Sequence, residues 1–117
     1  MSLSLKTRKV DGVVIIDMSG KLTMGPAVVS LRQTVKSFAE DGNHKFVLNL
    51  GEVSYIDSSG LGELVATYTS LRNSESHVNL LNLSKNAKDL LQLTKLLTVF
   101  ETYEDEAAAV GALNSAQ

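Results

Sequence analysis

Apolar and polar residues alternate at the beginning of the chain, which is the pattern of a half-buried β-strand. Leu3 and Leu5 alternate with serine and lysine, and a second apolar run, Val13–Met18, follows the turn-forming dipeptide Asp11-Gly12. The two runs predict an antiparallel hairpin. In the second run the even positions are all apolar whereas the odd positions include Asp17, so we expect one face of this strand to be more deeply covered.

Four later stretches have apolar residues at the spacings of three and four that are typical of amphipathic helices. The first begins at Gly25-Pro26, because proline suits the first helical position, and ends at Asp41-Gly42-Asn43. The others are predicted near Ser58–Arg72, Lys85–Leu93 and Asp105–Leu113. In chain order, the apolar stripes of the first three helices comprise Val28, Leu31, Val35, Phe38 and Ala39; Leu61, Leu64, Val65, Tyr68 and Leu71; and Ala87, Leu90, Leu91 and Thr94.

Short apolar runs separate these helices and predict further strands. They are Phe46–Leu50, Val78–Leu83 and Val99-Phe100. Because strands and helices alternate, the connections are βαβ crossovers and the sheet should be mostly parallel. The sequence therefore predicts an α/β fold with a mixed sheet of four to five strands and about four helices, formed by residues 1–117 as a single domain.

Composition and charge exclude several classes of function. The chain has 117 residues, of which 44% are hydrophobic and 21% are charged, as expected for one globular domain. Its 11 basic residues form no stripe and are outnumbered by 13 acidic ones, so nucleic acid is not an expected partner. The absence of cysteine suits a reducing compartment. With neither a signal-peptide pattern at Met1–Lys9 nor a run long enough to span a bilayer, we expect a cytoplasmic protein without a membrane partner.

The segment that precedes the second helix carries the strongest functional signal. Asp57, Ser58 and Ser59 are each suited to cap a helix N-terminus, where free amides and the helix dipole favour an anion. Gly60 and Gly62 keep the first turn free of side chains, so another protein's backbone can approach it. Each glycine costs about 1 kcal/mol of helix propensity relative to alanine, which a capping role alone does not explain.

The run Ile56–Gly62, which follows a strand and opens a helix, resembles the signature of the STAS domain family, especially its free-standing anti-sigma factor antagonists. The order of elements, the Gly20-Lys21-Leu22 turn before the first helix, and Thr94–Leu97 after the third helix are also similar to that family. The resemblance implies a superhelix of successive strand-helix units. It also implies a bacterial regulator of transcription that binds an anti-sigma factor serine kinase, so that a sigma factor is released, and that catalyses nothing itself.

The resemblance also assigns the site. Ser58 matches the phosphoacceptor serine of the family; phosphorylation prevents productive binding, and a partner serine phosphatase removes the phosphate. The residues expected to support this site or to contact the partner are Asp57, Ser59, Gly60, Leu61, Gly62 and Thr23. The segment Gly20–Thr23 departs from the family, which commonly has a Gly-Glu-Leu-Asp type sequence there, and the loss of two acidic positions leaves the identity of the partner open.

Three other functions compete with this interpretation. The first is a constitutive STAS scaffold, a subunit of a larger signalling or lipid-transport assembly in which Ser58 is never phosphorylated. A nucleotide-binding regulator has little support, because Gly60-x-Gly62 lacks the rest of a phosphate-binding loop. A hydrolase lacks a recognisable base near Ser58. His44 and His77 are isolated and expected at the surface, so we expect neither a metal site nor a cofactor.

Overall fold

The computed structural model describes residues 3–23 and 25–115 and contains a five-stranded mixed sheet. Its strands are β1 (Ser4–Val10), β2 (Val13–Leu22), β3 (Lys45–Ile56), β4 (His77–Leu81) and β5 (Glu101–Tyr103). They lie side by side in chain order; β1 and β2 are antiparallel, and every other neighbouring pair is parallel. The predicted α/β class, hairpin and mostly parallel sheet are therefore confirmed.

Four helices connect or follow the parallel strands: α1 (Pro26–Glu40), α2 (Ser58–Asn73), α3 (Lys85–Leu93) and α4 (Glu106–Ser115). Each predicted helix is present with ends within two residues of the expected ones. Pro26 occupies the first position of α1 as predicted, whereas the side chain of Val28, assigned to the apolar stripe of this helix, lies outside the described part. Within residues 3–23 and 25–115, no helix combines the length and apolarity needed to cross a membrane.

The sheet is covered on both faces, but unequally. The even positions Val14, Ile16 and Met18 of β2 belong to the larger core cluster, together with buried residues of α1, α2 and α3. The odd positions Val13 and Ile15 belong to a smaller cluster, which is closed by α4. The prediction that the even face of β2 is the more extensively covered is confirmed.

Two strands are longer than the sequence predicted. The segment Gly20–Leu22, expected as a turn, is the last part of β2, and β3 continues past Leu50 to Ile56. The pairing of these two extensions, which ends with Leu22 opposite Ile56, contains two register shifts. Polar residues and glycine interrupt the apolar pattern here, because the extensions pair with each other after β4 has ended. The extended β3 ends at Ile56, directly before Asp57 and the start of α2 at Ser58.

Two smaller predictions near the C-terminus were wrong. The last strand is formed by Glu101–Tyr103, not by Val99-Phe100. The ring of Phe100 is buried and packs edge-on against Tyr68, so its apolar character reflects the core and not a strand. Thr94 was assigned to the apolar stripe of α3, but it is exposed and caps the end of that helix by donating its hydroxyl to the carbonyl of Leu90 at 2.8 Å.

Candidate functional site

The candidate site lies where the carboxyl ends of β2 and β3 meet the N-terminus of α2. Of the three residues suited to cap this helix, Asp57 is the one that does so. Its Oδ1 accepts a hydrogen bond from the amide of Gly60 at 2.9 Å, and its carbonyl accepts the first helical bond, from Leu61, also at 2.9 Å. Because the side chain of Asp57 supplies the cap, the hydroxyl groups of the two serines that follow are not needed for it.

Ser58 is the first residue of α2 and is exposed to solvent. Among the described residues its hydroxyl has no hydrogen-bond partner, so the oxygen stands free at the positive end of the helix dipole. Ser59 is half-buried and, within the same part of the chain, likewise makes no side-chain hydrogen bond. An external enzyme can therefore reach the hydroxyl of Ser58 more readily than that of Ser59.

The two glycines of this turn have different roles. Gly60 is buried, and a methyl group on it would lie 1.8 Å from the carbonyl oxygen of Leu22. Its function is the close packing of α2 on β2, which corrects the expectation that it leaves room for a partner. Gly62 is exposed, and nothing lies within 4 Å of the position its Cβ would take. Of these two glycines, Gly62 is the one that leaves open space at the surface.

Hydrogen bonds from two other elements hold the chain just before Ser58. The amide of Asp57 donates to the carbonyl of Leu22 on β2 at 3.4 Å, and the amide of Ile56 donates to Oδ1 of Asn86 on α3 at 2.9 Å. The sequence analysis did not single out Asn86. The available signal was its position in the first turn of the helix after β4, because the carboxyl ends of parallel strands lie at one end of a sheet.

Two other residues expected at the site differ in exposure. Thr23 is half-buried directly after β2, and the pairing of Leu22 with Ile56 places it at the same end of the sheet as Ser58. Leu61 is 6% exposed and belongs to the larger core, so its side chain anchors the start of α2 in that core. The surface near Ser58 also includes two exposed side chains that pair across the ends of β2 and β3, Lys21 and Tyr55.

An ion pair fixes α2 to α1 one turn beyond the site. Arg32 donates two hydrogen bonds, both of 2.8 Å, to the two carboxylate oxygens of Glu63. The Glu63 side chain is only 9% exposed, whereas that of Arg32 is 51% exposed. A buried carboxylate needs such a partner, and the two-pronged geometry fixes the distance between the helices. Sequence reasoning missed Glu63, because its partner lies 31 positions away in the chain.

The two histidines lie away from this site. His44 and His77 are exposed as expected, at the amino-terminal end of β3 and β4, and Nδ1 of His44 lies 3.0 Å from the hydroxyl oxygen of Ser76. In the part of the chain that the structure describes, no three potential metal ligands come together. A cleft of about 420 Å³ opens between α2, β4 and α4, and its walls include Tyr68 and Tyr103 but none of residues 56–62.

Comparisons with known proteins agree with the fold and with the class of binding protein. The family model "STAS domain" matches residues 4–109. The anti-sigma-B factor antagonist of Staphylococcus epidermidis is 28% identical over 104 residues, which make up 89% of this chain and 95% of that protein. A crystal structure of a candidate anti-sigma factor antagonist from Thermotoga maritima is 25% identical, with a TM-score of 0.85 over 94% of both chains.

The Bacillus anti-sigma factor antagonist SpoIIAA shares the fold as well. Its unphosphorylated form is 21% identical with a TM-score of 0.74, covering 95% of this chain and 98% of SpoIIAA. Its phosphorylated form is 22% identical with a TM-score of 0.72, covering 93% and 99%. These relatives are named as antagonists of another protein and not as enzymes, in agreement with the interpretation of this chain as a binding module. Since the family model spans nearly the whole described sequence, the chain belongs to the STAS domain family.

Proposed function

We propose that this chain is an anti-sigma factor antagonist that docks on an anti-sigma factor serine kinase and is released from it when Ser58 is phosphorylated. The observation that carries the proposal is the exposed hydroxyl of Ser58 at the first position of α2, in a turn whose cap is already supplied by Asp57. Ser58 is therefore available for modification without loss of a structural hydrogen bond. In this proposal residues 1–117 form one STAS domain and the kinase supplies the ATP.

The fold has the means to accommodate a phosphate on Ser58. A phosphoserine carries a charge of about −1.5 to −2 at neutral pH, and the first amides of α2 and its dipole favour negative charge at this place. The carboxylate of Asp57 is the nearest like charge, and one of its oxygens is engaged by the amide of Gly60. SpoIIAA, which shares the fold, is itself known in a phosphorylated form.

A partner docked over Ser58 cannot compensate the charge of a phosphate in this way. A protein seated over Ser58 must either desolvate the phosphate or meet it with its own charges, and both are costly without a matching cation. A mismatch of about 3 kcal/mol weakens a complex roughly a hundredfold. The same group thus leaves the monomer intact and dissociates the complex, and a serine phosphatase restores the binding form.

The surface around Ser58 supports docking of a partner's backbone. The open space at Gly62 lies one helical turn from Ser58, since residues four apart share a helix face. Thr23 and the exposed Lys21 border the same end of the sheet. We place this interaction in the cytoplasm, because the kinase needs ATP and acts on a transcription factor.

Phosphorylation by an anti-sigma factor kinase from the same organism tests the acceptor. We expect mass spectrometry to locate the phosphate on Ser58 of the wild type, and Ser58→Ala to abolish the label because no other residue of the turn combines a hydroxyl with this exposure. Ser59→Ala is the matched control and should remain labelled. Full labelling of Ser58→Ala would overturn the assignment.

The consequence of the charge is tested separately with Ser58→Asp. This variant should bind the kinase at least about tenfold more weakly, while its free energy of unfolding stays within about 1 kcal/mol of the wild type. Ala107→Asp adds the same charge at an exposed position in the first turn of α4, on the other face of the sheet, and should leave binding unchanged. Isothermal titration calorimetry and thermal unfolding give the two quantities. Equal kinase affinity of Ser58→Asp and the wild type contradicts a switch at this position.

One observation favours a second candidate function, a constitutive scaffold subunit of a larger signalling or lipid-transport assembly. The segment Gly20–Thr23 presents Lys21 and Thr23 where an acidic pair is common in the family. For a scaffold, Ser58→Asp has no effect in cells, and the same partners copurify with the wild type and the variant. Copurification followed by mass spectrometry therefore separates the two functions.

A further inference from the structure

We infer that Asn86 is a positioning residue for Ser58: it ties the end of β3 to α3 and so fixes where the acceptor hydroxyl stands. The inference rests on the proposed function, since it concerns the reaction at Ser58. It starts from the hydrogen bond of 2.9 Å between the amide of Ile56 and Oδ1 of Asn86, which joins residues 30 positions apart.

The contact from Asn86 differs in length and in origin from the other hydrogen bonds that shape the turn. The cap from Asp57 to Gly60 is internal to α2, and the bond from Asp57 to Leu22, at 3.4 Å, is the longest of the set. The contact from Asn86 is 2.9 Å long and comes from a third element. Within the described residues it is the one side-chain hydrogen bond that α3 makes to the segment 53–59.

Asn86 is itself held firmly enough to position a neighbour. It is half-buried in the first turn of α3, whose N-cap Ser84 accepts a hydrogen bond from the amide of Ala87 at 3.1 Å. Ala87 and Leu91 anchor the same helix in the larger core. The helix thus fixes the backbone of Asn86, and its side-chain oxygen is the acceptor for the amide of Ile56.

The consequence for Ser58 follows from the short distance along the chain. Ser58 is two residues beyond Ile56, and β3 passes into α2 with only Asp57 between them. Without the acceptor, the end of β3 is free to shift, and the hydroxyl shifts with it. Phosphoryl transfer depends on alignment of the attacking oxygen, and a displacement of about 1 Å can cost roughly a hundredfold in rate. The docking surface elsewhere stays the same, so binding is less affected than turnover.

Steady-state phosphorylation of the full chain by an anti-sigma factor kinase from the same organism tests this role. Asn86→Ala removes the acceptor and keeps a good helix former, and we expect its kcat to fall about tenfold with KM within about twofold of the wild type. Asn86→Asp keeps an acceptor oxygen at the same reach and should retain the kcat of the wild type within about twofold. Gln92→Ala, an exposed amide on the same helix, is the matched control and should be unchanged.

The measurements are made on variants shown by circular dichroism to be folded, and the exchange rate of the Ile56 amide reports whether its bond is lost. If Asn86→Ala does not fold, Asn86→Gln moves the acceptor by one methylene group and should show the same loss of kcat. A kcat of Asn86→Ala equal to that of the wild type, or equal losses in Asn86→Ala and Asn86→Asp, overturns the positioning role while Ser58 remains the acceptor. A wild type that is not phosphorylated on Ser58 overturns the proposed function as well.

Discussion

The two glycines in the first turns of α2 show how residues of one type differ in their surroundings two positions apart. Gly60 is required by the fold, because the carbonyl of Leu22 occupies the space where a side chain would be. At Gly62 a side chain would meet no such obstacle. Alanine would fit there and would make the helix more stable than glycine does. The docking of a partner's backbone proposed above would account for a glycine at this exposed position.

Alanine substitutions at these glycines should have opposite effects on stability. Gly60→Ala should destabilise the protein by about 3 kcal/mol or more, because the obstacle is backbone and cannot rotate away. Gly62→Ala should stabilise it by about 1 kcal/mol through helix propensity, yet weaken binding to the kinase. Chemical denaturation and calorimetry measure the two effects. Unchanged kinase binding by Gly62→Ala would remove Gly62 from the docking surface.

A buried hydroxyl in α2 offers a second test at the scale of single residues. Thr67 is fully buried, and in the described part of the chain its Oγ1 has no hydrogen-bond partner. Thr67→Val replaces the hydroxyl by a methyl group of similar shape and should stabilise the protein by about 1 kcal/mol, as measured by thermal unfolding. Thr69→Val, at an exposed position of the same helix, should have a smaller effect. A less stable Thr67→Val protein would mean that the hydroxyl is satisfied in solution.

At the scale of helices and strands, most of the fold follows from apolar periodicity. All four helices and the hairpin were predicted, because each places a regular apolar stripe on the core. The extension of β3 to Ile56 was not, since its residues alternate imperfectly and pair with β2 through register shifts.

The residues of the candidate site were likewise only partly predictable from the sequence. Asp57 and Ser58 are local signals, whereas Asn86 and Glu63 contact residues about 30 positions away, and apolar periodicity does not report such contacts.

The helices α1 and α2 are coupled by more than apolar packing. The ion pair between Arg32 and Glu63 lies one turn beyond Ser59, so the N-terminal end of α2 is held to α1. Together with the contact from Asn86 on α3, it holds the start of α2 between two neighbouring helices. For the docking proposed above, such a preformed surface reduces the ordering entropy lost on binding.

At the scale of the whole molecule, α4 closes the smaller core and is tied to the hairpin by charge. Arg8 on β1 donates hydrogen bonds of 2.7 and 3.1 Å to Asp17 on β2, and bonds of 3.0 and 2.5 Å to Glu106 on α4. These bonds hold the pKa of both carboxyl groups below their ordinary values of 3.8 and 4.5. One arginine thus links the first and last elements of the chain.

This link predicts how stability depends on pH. A carboxyl group whose pKa is lower in the folded than in the unfolded protein binds protons more weakly when folded, so its contribution is complete above the unfolded pKa and is lost as the pH falls through the folded one. The free energy of unfolding should therefore decrease from about pH 5 downward. Urea denaturation at several pH values should show a shallower decrease for Arg8→Met than for the wild type.

Lys9→Met, which removes a neighbouring positive charge from β1, is the control for this measurement and should keep the slope of the wild type. If Arg8→Met and the wild type lose stability equally steeply between pH 5 and pH 3, the link through Asp17 and Glu106 is not what makes the protein sensitive to acid.

The order of the strands leaves β1 and β5 at the outer margins of the sheet. Unpaired backbone groups at such margins invite a strand of another molecule to add to the sheet, which leads to aggregation. Here β1 exposes Lys6 and Lys9, and β5 is only three residues long, so a second copy would meet positive charge on one side and a very short strand on the other. Both margins of the sheet therefore disfavour the addition of a strand from a second copy of the chain.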